Sequence, residues 1–106
     1  MKRLLNEEKS NGLPAFLSGK SGLCSGMMTW ENVAAALVSE NKVLVHPASC
    51  DSAETCADKE DHVSMGGFAA RKAVTVCLNV MKILAIELLA AVQAIHWRYH
   101  HKSNTP

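Results

Sequence analysis

Aromatic side chains are scarce in this 106-residue chain: two Trp, two Phe and one Tyr. So few rings exclude a surface on which successive nucleobases stack. Neither sign of charge dominates, with 11 Lys and Arg against 10 Asp and Glu and a net charge of +1. The basic residues are scattered, so the basic patch of a dedicated nucleic-acid binder is missing. There is no internal repeat and no low-complexity tract. Met1-Lys2-Arg3-Leu4-Leu5 begins like a secretory leader, but Asn6-Glu7-Glu8-Lys9 follows before any apolar region forms. The expectation is therefore a cytoplasmic, reducing setting with free thiols. By count alone, Cys24, Cys50, Cys56 and Cys77 still allow three pairings. Cys77 lies in an apolar stretch and reads as a small buried hydrophobe.

What is present points to one small folded domain. Hydrophobic residues make up 48% and charged residues 20%, a balance that a wholly disordered chain does not have. The length allows one domain with a modest core. Residues 1 to 12 are polar and predict a short, frayed helix. Asn11-Gly12 and Leu13-Pro14 read as turn or extended chain. Residues 18 to 26 hold three glycines and three serines and read as loop. A helix follows from about Met27 to Val43, capped by Thr29 or Ser25. Its apolar face is drawn by Val33, Ala36, Leu37, Glu40 and Leu44 at spacings of three and four. Pro47 ends the pattern and keeps His46 extended. Residues 46 to 62 then form a long polar loop, of a kind that is functional or leans on a larger structure.

From about Val63 to Trp97 the pattern predicts one long helix. Lys72, Thr75, Asn79 and Lys82 make a narrow polar stripe, and nearly everything else from Ala73 to Ile95 is apolar. Such a helix belongs in a core or in a membrane. Its length suffices for a span. Lys82 and Glu87 oppose that reading, because each charge near a bilayer centre costs roughly 3 kcal/mol. A buried helix in a bundle fits better. One partner helix cannot cover so much apolar surface, so an oligomer or a further segment is implied. Positive groups from His96 to Lys102 suit the negative end of the helix. The expected domain runs over residues 1–102, with 103–106 a flexible tail.

The densest chemistry lies in Glu60-Asp61-His62-Val63-Ser64-Met65-Gly66. Two carboxylates, an imidazole and a hydroxyl fall within five residues, where polar loop gives way to apolar helix. Asp61 or Ser64 can cap that helix through a side-chain oxygen. A polar cap is the plainer reading; a site held on rigid support is the sharper one. His46, Cys50, Cys56 and His62 are zinc-type ligands. With three, five and five intervening residues they fit no compact two-plus-two finger, and no metal is expected. His96 and His100 lie four apart on a helix face, where a solvated helix end is the plainer reading and a metal pair the sharper one. A Cys56–His62 nucleophile pair lacks an orienting third group.

The same stretch resembles the motif of the histidine branch of the aromatic amino acid ammonia-lyases. Asn11-Gly12-Leu13-Pro14-Ala15-Phe16-Leu17, Gly22-Leu23 with Ser25-Gly26, and Ala34 to Leu44 are similar to that family too. So are His46-Pro47-Ala48-Ser49 with Asp51-Ser52, Gly67 to Ala73, and Ile83 to Ala91. Together they span roughly residues 2 to 97, in order. The resemblance is to a piece from the C-terminal half of lyases several times longer. It implies an all-α fold: a long buried helix and a shorter helix joined by a polar loop, as in part of the family's central helical bundle.

The family eliminates ammonia from an amino acid by means of a methylidene-imidazolone ring made from Ala-Ser-Gly, and that triad is absent here. By resemblance, Glu60 is the catalytic carboxylate, facing the substrate imidazole or assisting proton transfer. By the same resemblance, Asp61, His62 and Ser64 are substrate-binding or supporting groups that position the loop. Glutamate at this position implies histidine as substrate. Cys24 stands where the family has Asn, Lys59 where it has Gln, and Ala53-Glu54-Thr55-Cys56 replaces a Pro-Thr-Ser-like stretch. Lys59 is placed to pair with Glu60. The implied function is a fragment or remnant of a histidine ammonia-lyase, inactive alone and dependent on a missing N-terminal half or on further copies of itself. No nucleic acid and no membrane is implied. The alternative is a non-catalytic helical module that self-associates or binds a partner.

Overall fold

The computed structural model describes residues 1–20 and 22–103. The chain is all-helical in its regular structure. Helix α1 spans Lys2–Leu5, a 3-10 turn spans Ala15–Leu17, α2 spans Met28–Leu44 and α3 spans Gly66–Ser103. The two principal helices are those that the apolar pattern predicts, with shifted ends. α3 starts three residues after Val63 and runs six residues past Trp97. Of the expected tail, Ser103 closes α3, and 104–106 lie outside the described residues.

Capping chemistry explains the start of α3. The Ser64 hydroxyl accepts from the Gly66 N–H at 3.3 Å, so Ser64 rather than Asp61 takes up a free donor there. α2 behaves differently from expectation. Neither Thr29 nor Ser25 caps it through a side chain. Instead the Met28 N–H donates to the Ser25 carbonyl at 3.0 Å, and Glu31 places a carboxylate in the positive first turn.

The molecule is a rod of 81 × 22 × 19 Å. Its radius of gyration is 21.8 Å, against about 13 Å for a compact chain of this size. A rod has little interior, and the core is accordingly small. Leu5, Leu13 and Leu17 pack on Ala90 and Ala94 of α3, flanked by Met1, Leu4, Phe16, Met27 and Trp97. Polar ties fix this end. The Trp97 indole donates to the Leu17 carbonyl at 2.8 Å, and Arg98 donates to the Ser10 carbonyl at 2.9 Å. The N-terminal ammonium donates to Glu87 at 2.7 Å and holds that carboxyl below its ordinary range.

α2 lies against the first half of α3. As numbering rises from Asn41 to His46, their α3 partners fall from Asn79 to Lys72, so the pair is antiparallel. The seam is polar. Asn79 is 3% exposed. Its amide donates to Glu40 at 2.8 Å and to Asn41 at 3.0 Å. Lys72 donates to the His46 carbonyl. Of the stripe of Lys72, Thr75, Asn79 and Lys82, Asn79 and Lys72 thus supply polar contacts with α2 and the residues that follow it, while Lys82 is exposed. On α2 the covered side is Ala34, Leu37, Asn41 and Leu44, rotated from the expected face, and Val33 is exposed.

The burial expected for α3 is therefore not met within this chain. Val74, Leu78, Met81, Leu84, Leu88, Val92 and Ile95 are all exposed. Cys77, expected to be buried, is exposed as well, because it lies on the uncovered side. By length and composition alone, Gly66–His100 would be long and apolar enough to cross a membrane.

Gly26 locks the turn before α2. Its φ is +50°, and a Cβ there would stand 2.5 Å from the Phe16 carbonyl oxygen and 2.9 Å from the Ser18 Cβ. That same carbonyl accepts from the Met27 N–H at 2.9 Å. Gly26→Ala is expected to destabilise the chain by about 2 kcal/mol in urea unfolding, through strain and the lost bond. Gly12→Ala, at φ +89° with nothing within 4 Å, costs about 1 kcal/mol. Equal losses would show that the close approach at Gly26 contributes nothing.

Candidate functional site

The loop between α2 and α3 is organised by two small devices. The first is an antiparallel bridge: Thr55 and Glu60 exchange backbone hydrogen bonds of 3.0 and 3.2 Å. The turn it closes contains Cys56, Ala57 and Asp58 with φ of 54°, 54° and 63°. Left-handed backbone is rare for residues with a Cβ, and a run of three is costly. The result is a tight projection with Glu60 at its returning edge. The second device is Ser52. Its hydroxyl donates to the Asp61 carbonyl at 2.7 Å and accepts from the Val63 N–H at 3.2 Å. Asp51 in turn accepts from the Ser52 N–H at 2.8 Å. Ser52 thus grips the backbone on both sides of His62.

These devices place the expected site residues. Glu60 is exposed, and its carboxylate meets the Thr55 hydroxyl at 3.5 Å. That is the outer limit of a hydrogen bond, so the carboxylate keeps most of its acceptor capacity. The sequence suggests Lys59 as its partner; the structure provides Thr55 instead. Asp61 engages Ser52 through its backbone, and its side chain is exposed. His62 is exposed between the two bonds of Ser52. Ser64 belongs to a different surface. With Gly67, Phe68 and Arg71 it lines a hollow of about 370 Å³ at the start of α3. The Arg71 guanidinium lies over the Phe68 ring at 4.6 Å, which orients its charge there.

Thr55 and Ser52 are the organising residues that sequence reasoning missed. Asp51-Ser52 is a pair prone to local turns, and that was the available signal. Among the described residues no three His, Cys, Asp or Glu side chains gather as a metal site, so His46, Cys50, Cys56 and His62 form no ligand set. Cys24 lies at the other end of the fold. Hydrogen bonds from the Gly26 backbone and the Ser18 side chain hold its thiol below the usual range.

Chemically, the projection offers an exposed carboxylate that can accept from an N–H or carry a proton, with an imidazole two residues away. It offers no electrophile of its own.

The sequence profile described as aromatic amino acid lyase matches residues 1–106. The chain is 59% identical over 96 residues to a histidine ammonia-lyase of Gloeobacter violaceus, covering 91% of this chain and 19% of that protein. It is 60% identical over 97 residues to the histidine ammonia-lyase of Caenorhabditis elegans, covering 92% and 14%. It superposes on the crystal structure of histidine ammonia-lyase from Trypanosoma cruzi with a TM-score of 0.84 and 59% identity, covering 91% and 19%. A tyrosine aminomutase mutant with bound ligand gives a TM-score of 0.86 at 44% identity, covering 99% and 20%. The chain thus spans about a fifth or less of the length of the relatives it matches.

Proposed function

Because the chain belongs to the aromatic amino acid lyase family, we propose that it is the Glu60-bearing segment of a lyase that removes ammonia from L-histidine to give urocanate. The open carboxylate of Glu60 carries this reading: it is held at a bridge edge and contacts Thr55 only at 3.5 Å. There it accepts from the substrate imidazole N–H or takes a proton during elimination. Asp61 and His62 flank it, with the intervening backbone fixed by Ser52. Ser64 holds the start of α3.

The methylidene-imidazolone of this family supplies the electrophile that activates the amino group. The residues present do not fit it. No Ala-Ser-Gly occurs in this sequence, and Ser18-Gly19 and Ser25-Gly26 follow Leu17 and Cys24. No step of the reaction is therefore derived through that ring. Activity depends on a lyase portion carrying the triad, and the chain alone is inactive. The same reading makes α3 a protein-buried helix in a homo-oligomer or against the rest of a lyase. The polar seam at Asn79 supports a protein setting over lipid. The same reading carries a cytoplasmic location.

Histidine turnover, followed by urocanate formation, tests the assignment. The chain alone is expected to give none. Co-expressed with a lyase portion carrying Ala-Ser-Gly, it is expected to give turnover that Glu60→Gln lowers by about a hundredfold. Turnover by the chain alone would refute the dependence, and unchanged turnover in the variant would refute the role of Glu60.

A second reading, a non-catalytic association module, is favoured by the exposed apolar face of α3. It predicts assembly with no effect of Glu60→Gln on anything measured.

A further inference from the structure

At the far end of α3 the rings of His96 and His100 meet edge to face, with centroids 4.3 Å apart and planes inclined by 60°. The helix dictates this: residues four apart are stacked on one face, rising about 6 Å. Both side chains are exposed. The neighbouring positions turn the other way, since Trp97 and Arg98 are tied to the carbonyls of Leu17 and Ser10. Those two bonds fix the rotation of the helix and so fix the direction of the pair.

The geometry points to a two-histidine site for a divalent transition cation at His96 and His100. Two imidazole nitrogens bound at about 2.1 Å to one ion stand roughly 3 Å apart. Rings 4.3 Å apart reach that separation by small side-chain rotations. Imidazole suits zinc, nickel and copper, with copper bound most tightly among first-row divalent ions. Among the described residues no third His, Cys, Asp or Glu joins the pair, so water fills the remaining positions. The last turns of a helix carry partial negative charge, which favours a cation. Arg98, two residues from each histidine, carries an opposing charge, and its guanidinium is engaged at Ser10. The site is independent of Glu60 and of any lyase activity.

The test is titration of the full 106-residue chain with zinc chloride and with copper sulfate. It is read by calorimetry and by the imidazole resonances of assigned histidines. One ion per chain is expected, with His96 and His100 resonances shifting together. His96→Ala and His100→Ala each weaken binding by tenfold or more, and the double variant is no weaker than either single one. His46→Ala and His62→Ala leave it unchanged. Alanine favours helix, and circular dichroism of each variant verifies that α3 is retained. Wild-type affinity in either single variant, or shifts centred on His46 or His62, would overturn the site.

Discussion

Asn79→Asp is expected to unzip α2 from α3 at neutral pH. The native amide donates to Glu40 and Asn41 from a position 3% exposed. An aspartate there has no donor to give and sets a second carboxylate beside Glu40. Loss of a hydrogen bond to a charged group costs about 1.5–3 kcal/mol, and like charges in a covered seam add to it. Asn79→Leu, which removes the donor without adding charge, is expected to cost about 2 kcal/mol. The two variants separate by pH. The deficit of Asn79→Asp shrinks as acid protonates the introduced carboxylate, and Asn79→Leu has no such group to protonate. Amide hydrogen exchange along Met28–Leu44 reads the opening directly. Identical exchange in wild type and Asn79→Asp would mean that this seam does not hold the helices together.

The second large effect concerns the outer face of α3. The chain is expected to associate in solution, and Leu84→Glu with Leu88→Glu is expected to abolish that association. These two leucines are 57% and 65% exposed, one turn apart on the apolar side. Burying a leucine contributes about 1.5–3 kcal/mol. Losing both weakens assembly by roughly 10²- to 10⁴-fold, before the cost of desolvating two carboxylates. Light scattering over a concentration series checks this. A wild-type chain that stays monomeric throughout would remove the basis for an association face, whereas an oligomer indifferent to both substitutions would place its interface elsewhere.

The helices were legible because their signals are summed over many residues. Ala34-Ala35-Ala36 and the apolar run after Ala73 outweigh any single position. The orientation of α3 was not legible in the same way. The polar stripe of Lys72, Thr75, Asn79 and Lys82 could be seen, yet a polar stripe ordinarily meets water. Here Asn79 of that stripe meets α2, because Glu40 and Asn41 supply acceptors that the spacing of α2 does not advertise. That pairing also rotates α2 and leaves Val33 and Cys77 uncovered. For Glu60, Asp61, His62 and Ser64 the place along the chain was legible and the geometry was not. Glu60, Asp61, His62 and Ser64 lie where loop meets helix, as expected. Their placement depends on the bridge to Thr55 and on the two bonds of Ser52. The bridge needs left-handed backbone at Cys56, Ala57 and Asp58, and of these only Asp has any preference for it. No side-chain pattern announces such a turn.

Leu5 and Leu13 close their cluster on Ala90 and Ala94, and the Ser10 carbonyl is taken up by Arg98. The Ser10–Arg98 bond alone joins residues 88 apart along the chain. Closing so wide a loop is entropically costly and slow. Helices α2 and α3 can zip together while that end is still open. Docking of residues 1–17 onto α3 is thus the late step of folding, after α2 and α3 have paired.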